Sequence, residues 1–204
     1  MQNLSLFIFA TLLLAMTPGQ DFIYVMIRSI SQGTRAGIVA ISGLMIGVTL
    51  HTLAAATGIA AILLTSSYAF MAVKLVGAAY LIYIGIQAFR QKGNLDINKP
   101  RDKASDLKLF KEGIISSVLN PKLAIFFMAF LPQFVANGAD TFTEMIKLGL
   151  LFAILSLPIL IAVAMLSSKF GDFITGNENV AQSIGKITGV VLVGLGLRLA
   201  LVEK

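Results

Sequence analysis

The sequence lacks cysteine and is poor in charge, and each shortage excludes a class of protein. With no cysteine among 204 residues, a disulfide framework, a thiolate metal site and a thiol redox relay are excluded. A single histidine, His51, leaves no histidine pair at zinc-ligand spacing. Charged residues make up 13% of the chain, against about 25% in a soluble domain. That is too little charge to cover a water-exposed surface, so we expect this surface to face lipid.

Long hydrophobic runs take the place of the missing charge. The chain is 57% hydrophobic with a mean hydropathy of +0.88. A bilayer core of ~30 Å needs ~20 helical residues, and six apolar stretches reach that length, at about 4–27, 36–64, 68–89, 113–135, 142–167 and 184–201. The first stretch has no basic residue before it and no small-residue cleavage site after it, so we expect a retained helix. The sequence predicts an all-α integral membrane protein with six transmembrane helices.

Basic residues are concentrated on one side of the predicted membrane. The N-terminal tail and the connections at 65–67 and 136–141 contain none. Basic loops stay in the cytoplasm, which predicts a multi-pass protein of the bacterial inner membrane with both termini periplasmic. This pattern indicates that the basic residues behind the net charge of +6 set the orientation of the chain in the membrane and do not bind nucleic acid. The basic residues after the first, third and fifth helices are Arg28, Arg35, Arg90, Lys92, Lys99, Arg101, Lys103, Lys108, Lys111, Lys169 and Lys186.

A weak internal repeat divides the chain into two halves. A shift of 103 residues places Pro18 on Pro121, and each proline interrupts the first apolar stretch of its half. Three helices cross the membrane an odd number of times, so the second half enters from the opposite side. This predicts a 3+3 inverted repeat with broken helices 1 and 4. We assign a single membrane domain to 1–204, with repeat one at 1–90, a cytoplasmic loop at 91–111 and repeat two at 112–204.

The two proline breaks predict a polar cavity between the repeats. Proline removes a helical hydrogen bond, and each unsatisfied backbone group in hydrocarbon costs several kcal/mol. Such breaks persist only where protein or water satisfies the freed carbonyls. Half-helix ends at these breaks offer partial charges to a zwitterionic solute. The predicted substrate and proton pathway consists of Pro18, Gly19, Gln20, Asp21, His51, Asn120, Pro121 and Lys122.

Two ionisable residues at the breaks each have two interpretations. Asp21 suits proton coupling or the binding of a substrate ammonium group, or it caps the helix segment that begins after Gly19. Lys122 suits a substrate carboxylate or a pair with Asp21, or its amine extends to the cytoplasmic interface beside Glu112.

The polar residues without charge are equally open to two interpretations. Gln20 and Asn120 bond the freed backbone groups alone or also bind the solute. His51 acts as a proton relay, since its unperturbed pKa is ~6.5, or as a neutral histidine hydrogen-bonded between helices.

Several motifs in one order resemble the LysE/RhtB family of amino-acid exporters. They are Thr17-Pro18-Gly19-Gln20-Asp21, Gln32-Gly33-Thr34-Arg35-Ala36-Gly37, His51 in an Ala/Gly-rich stretch, Leu119-Asn120-Pro121-Lys122, Phe126-Phe127 and Phe130-Leu131-Pro132-Gln133-Phe134. The resemblance implies a proton-driven exporter of threonine-, homoserine-, leucine- or lysine-like solutes, with no cofactor and no enzymatic activity. It also implies that the core of the transport path is formed by Pro18, Gly19, Asp21, Asn120, Pro121 and Lys122. Gln20 stands where the commonest family pattern has proline, which leaves one more backbone donor at the break.

Other functions make different demands on the sequence. An exporter of divalent cations needs several inward carboxylates or histidines, and a different small metabolite is a further alternative. A membrane enzyme or electron carrier needs cysteines, a histidine pair or a catalytic dyad, and a scaffold does not need two matched helix breaks. The patterns Gly43-x-x-x-Gly47 and Gly185-x-x-x-Gly189 allow close helix packing within the chain or in a homodimer.

Overall fold

The regular structure of the chain is helical wherever it is described. A computed structural model describes residues 3–65, 67–90, 103–135, 140–175 and 178–201. The predicted all-α class is confirmed for these ranges. In chain order the helices are α1 (Leu4–Met16), α2 (Gln20–Gln32), α3 (Thr34–Thr65), α4 (Ser67–Arg90), α5 (Asp106–Val118), α6 (Pro121–Phe134), α7 (Thr141–Thr175) and α8 (Glu178–Leu201).

Two helix pairs are bent at the predicted proline breaks. The axes of α1 and α2 meet at 47°, as do those of α5 and α6. Helices α3 and α7 are long and apolar enough to cross a membrane over Thr34–Gly58 and Thr141–Lys169, and each bent pair is long enough for one further span. Shorter apolar segments lie in α4 at Lys74–Gln87 and in α8 at Leu192–Leu201. The predicted helix breaks are confirmed, whereas the count of six spans and the inverted repeat stay predictions.

The predicted loop at 91–111 ends earlier than expected. Helix α5 begins at Asp106, and the side chain of Ser105 caps it by accepting a hydrogen bond from the Lys108 backbone N–H. A serine at this position satisfies a free first-turn donor, so the charged segment is helical before the apolar stretch begins. Most of the loop, residues 91–102, lies outside the described residues. Lys169 and Lys186, expected in a loop, lie within α7 and α8.

The outer surface of the helices carries large apolar side chains. On α7, Leu150 and Ile154 are 61% and 58% exposed, and on α4 Val76 is 68% exposed. Inside, a cluster of fully buried rings includes Phe7 of α1 with Phe126 and Phe127 of α6. An apolar exterior around an apolar core is expected for a protein in a lipid bilayer and would aggregate in water.

Glycines let the helices approach one another at backbone distance. A Cβ atom on Gly43 would lie 2.1 Å from the carbonyl oxygen of Phe110 in α5, and one on Gly113 would lie 2.5 Å from the carbonyl oxygen of Ala40. The Gly43-x-x-x-Gly47 pattern therefore serves packing inside the chain, between α3 and α5. A Cβ atom on Gly189 of α8 would likewise lie 2.7 Å from the carbonyl oxygen of Gly85 in α4. The predicted homodimer stays untested by these contacts.

A single residue connects α2 to α3. Gly33 has a φ angle of +85°, a backbone conformation that residues with a Cβ atom rarely adopt. Its N–H donates to the Ser29 carbonyl at 2.9 Å, which closes the last turn of α2. The chain thus turns from one helix into the next with no intervening loop.

Candidate functional site

The two proline breaks lie against each other. The Lys122 ammonium, at the second position of α6, donates to the carbonyl oxygens of Leu14 at 3.1 Å and Thr17 at 3.0 Å. Both carbonyls belong to the C-terminal end of α1, where helical carbonyls lack partners and carry partial negative charge. The lysine does not extend to the interface beside Glu112. It joins the second break to the first.

Gly19 leaves the space that this lysine occupies. A Cβ atom at position 19 would lie 2.9 Å from Lys122 Nζ and 3.1 Å from its Cε. Gly19 is also the N-cap residue of α2, with φ −149° and ψ −173°, an extended conformation. Its role here is to make room for the lysine and not to supply an unusual backbone angle.

Asp21 faces the other half of the chain. It occupies the first turn of α2, and its carboxylate accepts a hydrogen bond from Ser116 Oγ of α5 at 3.2 Å. Lys122 and His51 act on this carboxylate electrostatically, and the Asn120 side chain lies within hydrogen-bonding reach of it. Within the described residues Asp21 and Lys122 form no direct ion pair, because the ammonium is turned toward the α1 carbonyls. The structure therefore brings four of the predicted site residues together.

Asn120 uses one end of its amide and leaves the other unbonded. Its Oδ1 accepts a hydrogen bond from the Lys122 backbone N–H at 3.0 Å and so caps α6. Its Nδ2 is buried and has no hydrogen-bond partner in the described part of the chain. Burying a donor without a partner is costly. The amide hydrogens lie close to the Asp21 carboxylate and can bond it or an acceptor atom of a solute.

His51 lies at the second break. Its Nε2 donates to the Ser117 carbonyl at 2.9 Å, and its ring stacks on Phe127 with centroids 5.9 Å apart. The residue is 8% exposed. This geometry matches the interpretation of a histidine hydrogen-bonded between helices. Gln20, by contrast, has an exposed side chain at the start of α2.

A crevice opens beside these residues. It contains about 410 Å³ of empty space, counting the part that is open to the surroundings. Only about 30 Å³ of it can hold the centre of a water molecule, which is room for about two waters at ~10–15 Å³ each. An amino acid therefore requires a wider conformation. The lining residues are Leu14, Ala15, Asp21, Phe22, Met45, Val48, Asn120, Lys122, Leu123, Phe152, Ser156 and Leu160.

Sequence reasoning missed the polar contributors outside the breaks. Ser116 is an ordinary residue in an apolar stretch, and no signal marked it as the partner of Asp21. Ser156 had a signal, since Pro158 lies within α7 two residues later. A proline within a membrane helix frees a carbonyl and marks a position near a cavity.

A polar cluster ties α2 to α5 at the ends away from the breaks. The guanidinium of Arg28 pairs with the Glu112 carboxylate. The one hydrogen of Tyr24 Oη is shared between the Leu109 carbonyl at 2.9 Å and the Glu112 carboxylate at 3.2 Å. Arg28 is only 5% exposed. We call Arg28, Tyr24 and Glu112 the Arg28 cluster. In this conformation the cluster closes the gap between α2 and α5.

Residues 12–203 match the family described as LysE type translocator. This chain belongs to that family. The chain is 29% identical to the homoserine/homoserine lactone efflux protein of Salmonella typhimurium and 27% identical to an uncharacterized membrane protein of Vibrio cholerae. Each of these alignments covers 95% of this chain and 94% of the relative. The uncharacterized membrane protein YrhP of Bacillus subtilis is 28% identical over 98% of this chain and 100% of its own length. No solved structure matches this chain.

Family membership fixes the broad class of this protein. The LysE-type translocator is a multi-pass membrane transporter and not an enzyme. Within the described residues, no group of three or more histidine, cysteine, aspartate or glutamate side chains comes together.

Proposed function

We propose that this LysE-type translocator exports small amino acids or their derivatives across the bacterial inner membrane in exchange for protons. The threonine-, homoserine-, leucine- and lysine-like solutes are the candidate substrates. The observation that carries the proposal is the juxtaposition of Asp21 with Lys122 and Asn120 in one crevice between two broken helices. The relatives named homoserine/homoserine lactone efflux proteins support a solute of this class.

The crevice offers complementary groups to both ends of a zwitterion. Asp21 provides a carboxylate for the substrate ammonium, in place of the Ser116 hydroxyl at 3.2 Å. The substrate carboxylate meets the Lys122 ammonium or the N-terminus of α2, whose N-cap Gly19 has no side chain to satisfy the first-turn N–H groups. The Asn120 Nδ2 lies close to the Asp21 carboxylate and adds a further donor to the crevice.

Proton exchange follows from a shared binding group. A proton arriving on Asp21 neutralises the carboxylate and weakens its contact with the substrate ammonium, so the solute leaves on the side from which the proton came. Proton and substrate then compete for one site, which is sufficient for antiport. In this scheme the substrate arrives from the cytoplasm, with both termini of the chain periplasmic.

The exchange needs a conformational change, since the crevice here has room for about two waters. We propose that repeat one rocks against repeat two around the two breaks, as inverted repeats permit. Opening the path between α2 and α5 separates Arg28 from Glu112 and Tyr24 from the Leu109 carbonyl.

Efflux from proteoliposomes tests the proposal. Vesicles are loaded with labelled neutral, basic and acidic amino acids, and efflux is followed with and without an imposed pH gradient and with a protonophore. We expect efflux of one chemical class that accelerates when the outside is acidic. Asp21→Asn is expected to abolish the dependence on the gradient, and Asp140→Asn, at an exposed loop carboxylate, serves as the matched control. Unchanged proton-coupled efflux by the Asp21→Asn variant would exclude the mechanism.

A further inference from the structure

Each proline deprives one backbone carbonyl of its helical donor. In an α-helix the N–H of residue i bonds the carbonyl of residue i−4, and proline has no N–H to give. The carbonyls affected are therefore those of Leu14, four residues before Pro18, and Ser117, four residues before Pro121. Both residues are buried, with 1% and 0% exposure. A buried carbonyl in this position must find a donor elsewhere.

At the first break the donor is a lysine from the second half of the chain. The Leu14 carbonyl accepts a bond from the Thr17 N–H at 3.3 Å, which is long, and a second from Lys122 Nζ at 3.1 Å. The same ammonium also bonds the Thr17 carbonyl at 3.0 Å.

At the second break the donor is a histidine from the first half of the chain. The Ser117 carbonyl accepts a bond from the Asn120 N–H at 3.0 Å and a second from His51 Nε2 at 2.9 Å. A carbonyl oxygen only accepts, so the hydrogen of this bond belongs to Nε2. The ring is fixed from the other side by stacking on Phe127.

The two arrangements correspond position by position. The shift of 103 residues that places Pro18 on Pro121 also places Leu14 on Ser117 and Thr17 on Asn120. At both breaks the carbonyl four residues before the proline accepts two hydrogen bonds. One comes from the backbone N–H of the residue three positions later, and the other comes from a side chain. In both, the side chain comes from the opposite half of the chain.

We infer that Lys122 and His51 are positioning residues that replace the backbone N–H groups deleted by Pro18 and Pro121. Each one thereby holds a broken helix to the opposite half of the molecule. This inference rests on the hydrogen bonds at the breaks and not on the proposed substrate.

The role leaves Lys122 able to take part in the proposed transport. An ammonium group has three donors, and the two α1 carbonyls use two of them. The third remains for the carboxylate of a solute. His51 differs, because its Nε2–H is committed to Ser117 and a proton relay through that atom would release the second break.

Restoring the missing N–H tests the inference. Lys122→Met and His51→Leu remove the side-chain donors. Pro18→Ala and Pro121→Ala return the backbone donors and lift the conformational restriction on the residue before each proline. We expect both single donor losses to lower the unfolding midpoint of the purified protein in mild detergent. The matched doubles, K122M/P18A and H51L/P121A, are expected to recover more than half of that loss.

The swapped doubles are the controls. K122M/P121A and H51L/P18A restore a donor at the wrong break and are expected to recover nothing. Lys122→Arg and His51→Gln keep a donor and are expected to lose less than the apolar variants. Where a single variant yields no monodisperse protein, the recovery of monodisperse protein by the matched proline substitution is the measurement.

Equal recovery by matched and swapped doubles, or recovery by neither, overturns the inference. These measurements involve no substrate, so their failure is distinct from a failure of the proposed export. Efflux assays on the same variants address that proposal separately.

Discussion

Replacing Gly43 by alanine is expected to force α3 away from α5. The added Cβ would lie 2.1 Å from the Phe110 carbonyl oxygen, about 1.3 Å short of the 3.4 Å at which ordinary contact begins. This obstacle is backbone, which cannot swing aside as a side chain does. On the facing helix, Gly113 lies against the Gly43 Cα and the Ala40 carbonyl, so the helices cannot slide into a nearby alternative position.

The magnitude follows from the type of clash. Overpacking a well-packed interior costs about 1–3 kcal/mol, and a backbone obstacle places this substitution near ~3 kcal/mol. For a chain of this size each kcal/mol corresponds to about 2–4 °C. We therefore expect the unfolding midpoint of Gly43→Ala to fall by about 6–12 °C.

Gly58 provides the matched control, because it lies on the same helix and a Cβ there meets nothing within 4 Å. Alanine is the better helix former by about 1 kcal/mol, so Gly58→Ala is expected to keep or slightly raise the midpoint. The assay is thermal unfolding of the purified variants in one detergent, followed by helical circular dichroism and by recovery of monodisperse protein. Equal midpoints for the two alanine variants would refute the reasoning, since they differ only in what the methyl group meets.

Two further predictions concern charges away from the breaks. Glu112→Gln leaves the buried Arg28 guanidinium without its counter-ion and is expected to destabilise the protein by about 3 kcal/mol. Asp106→Asn, in an exposed pair, is expected to cost under about 1 kcal/mol. Denaturant titration of the two variants compares these losses of stability. Asp140→Ala removes the N-terminal cap of α7 and is expected to lower the unfolding midpoint at pH 7, while Asp140→Asn keeps an acceptor without the charge and is expected to lower the midpoint less. The Thr143 hydroxyl bond holds the pKa of Asp140 below its ordinary 3.8, so its stabilising contribution is complete above that pH. Melting curves at decreasing pH are expected to converge for wild type and Asp140→Ala as the pH falls through the lowered pKa.

The helices and their breaks could be predicted from the sequence, because each depends on local chemistry. A continuous apolar stretch in lipid must satisfy its backbone internally, which selects a helix. A proline with polar neighbours fixes where that helix is broken. Both effects act within a few residues, and the bends at Pro18 and Pro121 lie where they were expected.

The contacts across the site could not be predicted in the same way. A helix that is apolar on every face gives no periodic signal to fix its rotation. For that reason nothing in the sequence showed that Ser116 faces Asp21, and Pro158 marked the neighbourhood of Ser156 without showing that its side chain faces the crevice. The role of Lys122 was uncertain for a related reason: a carboxylate is the usual partner of lysine, and backbone carbonyls compete only where a proline has freed them.

The one-residue corner at Gly33 has a practical consequence for measuring motion in this transporter. Because no loop separates α2 from α3, a pair of spin labels with one on each of these helices should report a constant distance in every transport state. A second pair, with one label on α2 and one on α5, spans the gap that the Arg28 cluster closes and should report the change. The chain has no cysteine of its own, so labelling cysteines can be introduced without first removing any. The molecule thus offers a constant reference distance close to a distance that changes during transport.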